Sequence, residues 1–211
     1  MMHPGVGSWD FSVGEIQQDE LAEAPNLAQG TFYYGLNNTF TGYTGFQITD
    51  NNYCAGLLGL GMNTVLGAFS FDITHSQTKI PNSKTYTGQS YRISWNKFFA
   101  PTNTSLNIAA YRYTTENYLS LTDAMELIDS AKHVSHNEYE NINSYSRLKD
   151  QVNLSMNQSL RDGKKDYGSF YLTGTWSRYW VTNNSQSSFS FGYSSNFSWA
   201  SYSIGVQRTY N

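Results

Sequence analysis

Apolar and polar residues alternate with a period of two through most of this chain. In "YRISWNK", Tyr91, Ile93 and Trp95 fall on one side and Arg92, Ser94 and Asn96 on the other. "QVNLSMN" sets Val152, Leu154 and Met156 against Gln151, Asn153, Ser155 and Asn157, and "SSFSFGYS" sets Phe189, Phe191 and Tyr193 against serines and Gly192. This pattern predicts strands over 7–15, 28–37, 41–49, 53–62, 65–77, 86–99, 104–114, 148–160, 166–180, 186–195 and 197–208. Asn-, Gly-, Asp- and Pro-rich turns separate them, among them "TDNN", "KIPNSKTYTG", "APTN" and "RDGKKD".

One stretch breaks the period. After "YRYTTENY", the run "LSLTDAMEL" reads as a helix start, with Ser120 or Thr122 as N-cap and Asp123 in the first turn. A short helix is expected to begin near Ser120 to Asp123 and to end before Val134, inside a long link over 115–147.

Several of the strands exceed the five or six residues usual in soluble sheets and match the ~9–11 that a tilted strand needs to cross a bilayer. Short turns alternate with longer links, as in outer-membrane barrels. Trp9, Tyr53, Tyr86, Phe98, Tyr113, Tyr179 and Trp180 lie near strand ends and are candidates for interfacial girdles. A soluble glycan-binding β-sandwich alternates as well.

Composition separates these readings. Charged residues are 14% and aromatic residues 16% of the 211, whereas a soluble domain carries about a quarter charged residues. Mean hydropathy is still −0.52, because Asn, Ser and Thr supply uncharged polarity. Scarce charge and long strands favour the membrane. The net charge of −3 argues against nucleic acid as a partner. No apolar run approaches the ~18 residues of a spanning helix. "MMHPGVGSWD" has neither the basic nor the apolar region of a signal peptide.

Candidate chemistry is sparse. Cys54 is the only cysteine, set among small apolar neighbours. Of the four histidines, only His133 and His136 are close, in a stretch that reads as loop rather than a metal site. "GLLGLGMN" lacks the Lys-Ser/Thr of a phosphate loop. Asn37, Asn103, Asn153 and Asn196 open N-x-S/T triplets that a chain rich in these residues contains by chance. Asp123 and Glu126 share helical spacing, which helix-start chemistry explains. No catalytic residue, metal or cofactor is expected.

Read as a unit, "GQSYRISWNKFFAPTNTSLNIAAYRYTTENYLSLTDAMEL" resembles the outer-membrane ushers of chaperone–usher pilus assembly. In that family a strand ending near "YNK" leads to a "GYRYST-x-GY-x-x-F-x-D" segment. The counterparts here are Trp95-Asn96-Lys97, then Tyr111, Arg112, Tyr113, Tyr118 and Asp123, with Ala110 and Asn117 in place of two glycines. "YLTGTWSRYW" is similar to the usher strand containing "YLSGS-x-Q-x-YW". The resemblance runs over roughly residues 5 to 208.

The resemblance implies an all-β fold: an antiparallel meander forming part of a translocation barrel, open, with about eleven strands and one short helix. It implies an outer-membrane pore, not an enzyme, through which pilus subunits pass. Its partners would be periplasmic chaperone–subunit complexes and outer-membrane lipid. Tyr111, Arg112, Tyr113, Tyr118 and Asp123 would be structural, and Arg92, Ser94, Asn96, Asn153 and Asn157 would line the lumen. A complete usher barrel has about two dozen strands, a plug and soluble domains at both ends. Residues 1–211 are therefore expected to be an internal barrel fragment without those parts. A small complete barrel with enzymatic loops is the other membrane reading.

Overall fold

In the computed structural model, which describes residues 3–17, 24–81, 84–133, 148–180, 185–196 and 200–210, the alternating runs form strands. These are β1 (Gly7–Glu15), β2 (Asn26–Gly35), β3 (Phe40–Thr49), β4 (Tyr53–Thr64), β5 (Gly67–Lys79), β6 (Thr85–Phe99), β7 (Thr104–Thr114), β8 (Leu148–Asp162), β9 (Lys165–Tyr179), β10 (Ser185–Asn196) and β11 (Ser201–Tyr210). They build one sheet whose order is the chain order, and every neighbouring pair is antiparallel. β1 and β11 are its two edges. The expected meander is present, and the last strand starts four residues later than the pattern of 197–208 predicts.

Directly paired residues project from the same face, so the registers divide the sheet into two sides. One side carries Trp9, Phe11, Phe32, Phe46, Leu58, Leu60, Phe71, Ile73, Tyr91, Ile93, Tyr111, Val152, Leu154, Trp176, Phe189, Phe191, Ile204 and Val206. Most are well exposed; Leu58 retains 71% of its surface and Phe191 50%. A sandwich would bury these side chains in a dry core. No second sheet covers them, so that reading fails among the described residues.

The apolar band slides along the strands as it crosses the sheet. The register partners of Phe11 run through Gly30, Phe46 and Gly56 to His75 and Gln89, leaving the band by β6. By β10 the band is centred on Phe189 and Phe191 instead. A band that stays level while the register drifts means strands tilted to it, the relation that closes barrels.

Links between strands are short at one end of the sheet: 36–39, 65–66, 100–103, 163–164 and 197–200. At the other end lie 16–25, 50–52, 80–84, 115–147 and 180–184. The long link contains α1 (Leu121–His133), starting where the Ser120 cap predicts. The Asp123 N–H donates to Ser120 Oγ at 3.3 Å and the Ala124 N–H to the Ser120 carbonyl at 2.8 Å. α1 lies on the side opposite the apolar band. Ala124, Met125, Leu127 and Ile128 pack there with Leu119, Tyr53, Ile80 and Tyr86, forming the buried apolar cluster.

That cluster corrects part of the girdle expectation. Tyr53 and Tyr86 are 2% and 4% exposed beneath α1, and by register Phe98 and Tyr179 also belong to the non-apolar side. Near a strand end, position parity decides the face, and these four have the wrong parity. Trp9 and Tyr113 have the right one, and Trp180 packs edge-on against Tyr113 with ring centroids 6.3 Å apart.

Candidate functional site

The polar side of the sheet holds all five side chains expected to line a lumen. A single register row crosses it: Tyr33, Tyr43, Gly59, Asp72, Arg92, Arg112, Gln151 and Ser177, from β2 to β9. Tyr33 stacks on Tyr43 at 5.6 Å. The Tyr43 hydroxyl reaches across β4 and donates to Asp72 Oδ2 at 3.0 Å. Arg92 Nη1 stands 3.9 Å from the same oxygen. Asp72 is buried and Arg92 is not, so the tyrosine hydroxyl and guanidinium together satisfy a carboxylate withdrawn from water. Gln151 Nε2 donates to Ser177 Oγ at 3.4 Å.

Around this row the lining is mostly uncharged, with Asp10 of β1 an exception. Ser70 and Ser94 share a hydrogen bond, Asn96 pairs in register with Ala68 and Asn107, Asn153 with Thr175, and Asn157 with Ser105 and Tyr171. Arg92, Ser94, Asn96, Asn153 and Asn157 thus share a face with one another. Among the described residues the polar groups are spread along strands rather than converging on one point.

The family-motif residues divide between two environments. Tyr111 and Tyr113 belong to the apolar side, and Tyr113 stacks on Tyr91 at 6.4 Å. Arg112 lies opposite Arg92 and Gln151 on the polar side, a like-charged neighbour relieved by Asp72. A one-residue bulge at Ala109 offsets β7 against both partners, next to the Ala110 that stands where a glycine was expected.

Tyr118 and Asp123 belong to the junction with α1. The turn returns onto β6: the Gln89 N–H donates to Thr115 Oγ1 at 3.0 Å, and the Thr115 N–H donates to the Gln89 carbonyl at 2.9 Å. Gly88 makes room for it, since a β-carbon there would lie 2.4 Å from Tyr118 N. The Tyr53 hydroxyl donates to the Leu119 carbonyl at 3.3 Å, and the Leu119 N–H donates to Ser76 Oγ at 3.4 Å. Burial pushes the Tyr118 phenol up, with Asp123 adding to the rise and Arg112 opposing it. Between the start of α1 and the sheet opens a cleft of about 590 Å³, lined by Ser12, Gln29, Gln47, Thr74, Arg112 and Tyr118 among others.

Pattern reasoning missed the Tyr43–Asp72–Arg92 connection and the burial of Asp150 against Arg178, where Nε donates to Oδ1 at 2.8 Å. Each carboxylate was one charge within a strand; only the register brings its partner opposite. His75 accepts or donates one hydrogen bond with Gln89 at 3.1 Å. His136 lies outside the described residues.

Comparison with known proteins matches this arrangement. A family model described as outer membrane usher protein matches residues 1–211. The chain is 59% identical over its whole length to the outer membrane usher protein HtrE of Escherichia coli and 39% identical to MrkC of Klebsiella pneumoniae. It spans about a quarter of the length of these curated relatives, 24% of each. Its fold matches the translocation pore of the P pilus usher PapC, with a TM-score of 0.56 and 21% identity over 99% of this chain and 46% of that one. A two-faced antiparallel meander with tilted strands, a helix folded onto its polar side and a family match over every residue lead to one assignment: this chain belongs to the outer membrane usher family.

Proposed function

We propose that this chain is wall of an outer-membrane pore that secretes pilus subunits and assembles them. The observation that carries the proposal is the division of faces, kept in register through all the strands: apolar and exposed on one side, polar and mostly uncharged on the other. Outer-membrane barrels turn the first to lipid and the second to water. Arg92, Ser94, Asn96, Asn153 and Asn157 then line the lumen, and the long-link end faces the cell exterior. Residues 1–211 contribute one part of the translocation barrel.

A lumen of Asn, Ser and Thr offers hydrogen bonds with little net charge, a surface along which a folded subunit slides without being held. The protein is proposed to receive those subunits from a periplasmic chaperone. Subunit-to-subunit strand exchange, a form of edge-strand pairing, drives transport, so neither an enzyme activity nor a cofactor enters the scheme.

Two experiments test it. Deleting the gene should abolish surface pili while chaperone–subunit complexes accumulate in the periplasm; unchanged piliation refutes the function. With Cys54→Ser as background, cysteines at Asn153 and Asn157 should react with a water-soluble thiol reagent, and cysteines at Leu154 and Met156 should not. Reversed labelling refutes the orientation of the wall.

A further inference from the structure

Charge divides the polar face in two. Asp10, Asp72, Arg92 and Arg112 stand on β1, β5, β6 and β7. On β8 to β11 the polar-side positions over 151–159, 169–177, 186–194 and 201–209 are Ser, Thr, Asn, Gln or Gly, with Tyr171 the one aromatic ring. Charge returns on these strands only beyond those spans, at Lys149 and in the Arg161–Asp166 pair by the hairpin tip.

The charged part is also the occupied one. α1 packs there against Tyr53, Ile80 and Tyr86, and the cleft of about 590 Å³ opens between its start and that part of the sheet. Among the described residues, none of the buried cluster comes from β8 to β11.

Tyr171 does not interrupt the uncharged part. It pairs with Gly192, which pairs in turn with Gly205. Its ring lies over the first glycine, where a β-carbon would fall 2.3 Å from Cε1 and Cζ. Its hydroxyl reaches the second, 3.3 Å from the corresponding point. The two glycines form a slot that takes the ring down onto the wall.

Such a surface suits a moving partner. Neutral hydrogen bonds are weaker than charge-assisted ones and exchange readily with those to water. Short side chains lose less rotamer entropy in each new contact than Arg or Lys. A charged wall would hold any opposite charge that came level with it.

We propose that β8 to β11 form the track along which a folded pilus subunit travels, contacted through a face poor in charge. β1 to β7, with α1 and the Asp72–Arg92 pair, form the standing side of the lumen. This rests on the secretion function proposed above.

The test uses the full-length usher in cells with its chaperone and subunits, one subunit being held in transit by a bulky fused domain. A photo-crosslinking residue at Thr173 or Ser190 should capture that subunit several-fold more than one at Thr31 or Ser94. Equal or greater capture from Thr31 and Ser94 overturns the track. Capture from none of the four refutes the secretion function as well. Gly192→Ala gives an independent measurement, because the added methyl group lifts the Tyr171 ring into the lumen. Surface assembly of subunits should slow several-fold while the heat-modifiable barrel band is retained, and Tyr171→Ala in the same chain should restore it. Assembly at the parental rate with Gly192→Ala, or no recovery in the double variant, also overturns the proposal. If Gly192→Ala lowers the amount of barrel, the capture ratio decides alone.

Discussion

Tyr43 reaches Asp72 by crossing a glycine. Its ring lies over Gly59, where an added β-carbon would sit 2.2 Å from ring atoms, and its hydroxyl then meets the carboxylate two strands away. Filling that space costs overpacking, about 1–3 kcal/mol, together with the hydrogen bond, about 1 kcal/mol. Gly59→Ala is therefore expected to lower stability to urea in detergent by about 2 kcal/mol. In a Tyr43→Ala background the same substitution should cost little, since nothing remains to displace. A double-mutant cycle measures the coupling, and additive losses would show that the ring does not depend on Gly59.

The junction rests on another missing side chain. Gly88 faces backbone, Tyr118 N at 2.4 Å and Cα at 2.7 Å, which does not yield as a flexible side chain does. Gly88→Ala should push the 115–118 turn from β6 and loosen α1 while the sheet persists. Limited proteolysis should then cut between residues 115 and 133 several-fold faster than in the parent, with heat modifiability unchanged. Cleavage at the parental rate would mean the turn finds another route.

Much of this fold was legible because a tilted strand with one side to lipid and one to water writes period two directly into the sequence. Leu154 and Ser155, or Phe189 and Ser190, announce their faces without any knowledge of neighbours. The helix was legible from its cap, Ser120. What remained hidden depends on register. Nothing near Asp72 in sequence reveals that Tyr43 and Arg92 lie level with it, and nothing marks Tyr53 and Tyr86 as a floor for α1 rather than as girdle residues. Chemistry shared across strands is set by how far each strand is shifted, and alternation carries no record of that shift.

Alkaline pH should release α1 through Tyr118. Its phenol is pushed up by burial, so the unfolded chain ionises first, near pH 10. The contribution to stability is fully present below that pH and falls as pH rises past it, because the docked state resists losing the proton. Tyr118→Phe removes the titrating group. Protease sensitivity of α1 should climb between about pH 9 and 11 in the parent and climb less steeply in the variant; identical profiles would remove Tyr118 from the account.

Neighbouring residues on β8 should respond oppositely to charge. Leu154 belongs to the apolar side and Ser155, the next residue, to the polar side. An arginine facing the bilayer midplane costs about 2–4 kcal/mol in a barrel. Leu154→Arg should reduce the folded, outer-membrane-inserted fraction at least tenfold, and Ser155→Arg should leave it within about twofold. If the serine site proves the more sensitive, the two faces have been assigned backwards.

The last expectation concerns the 211-residue chain produced by itself. Its sheet order runs from β1 to β11 without returning, and β1 and β11 are exposed along their whole length. Each edge therefore offers a row of unpaired N–H and C=O groups. In hydrocarbon no water satisfies them, and each costs several kcal/mol. Closing the same strands into a smaller ring would demand a different curvature, because strand number, shear and diameter are linked. The Tyr43–Asp72–Arg92 row and the docking of α1 fix the present one across β3 to β6. Produced alone, the chain should accordingly aggregate or be degraded rather than form a stable pore. A monomeric band that shifts on heating, together with single-channel conductance, would show that these strands close without further partners.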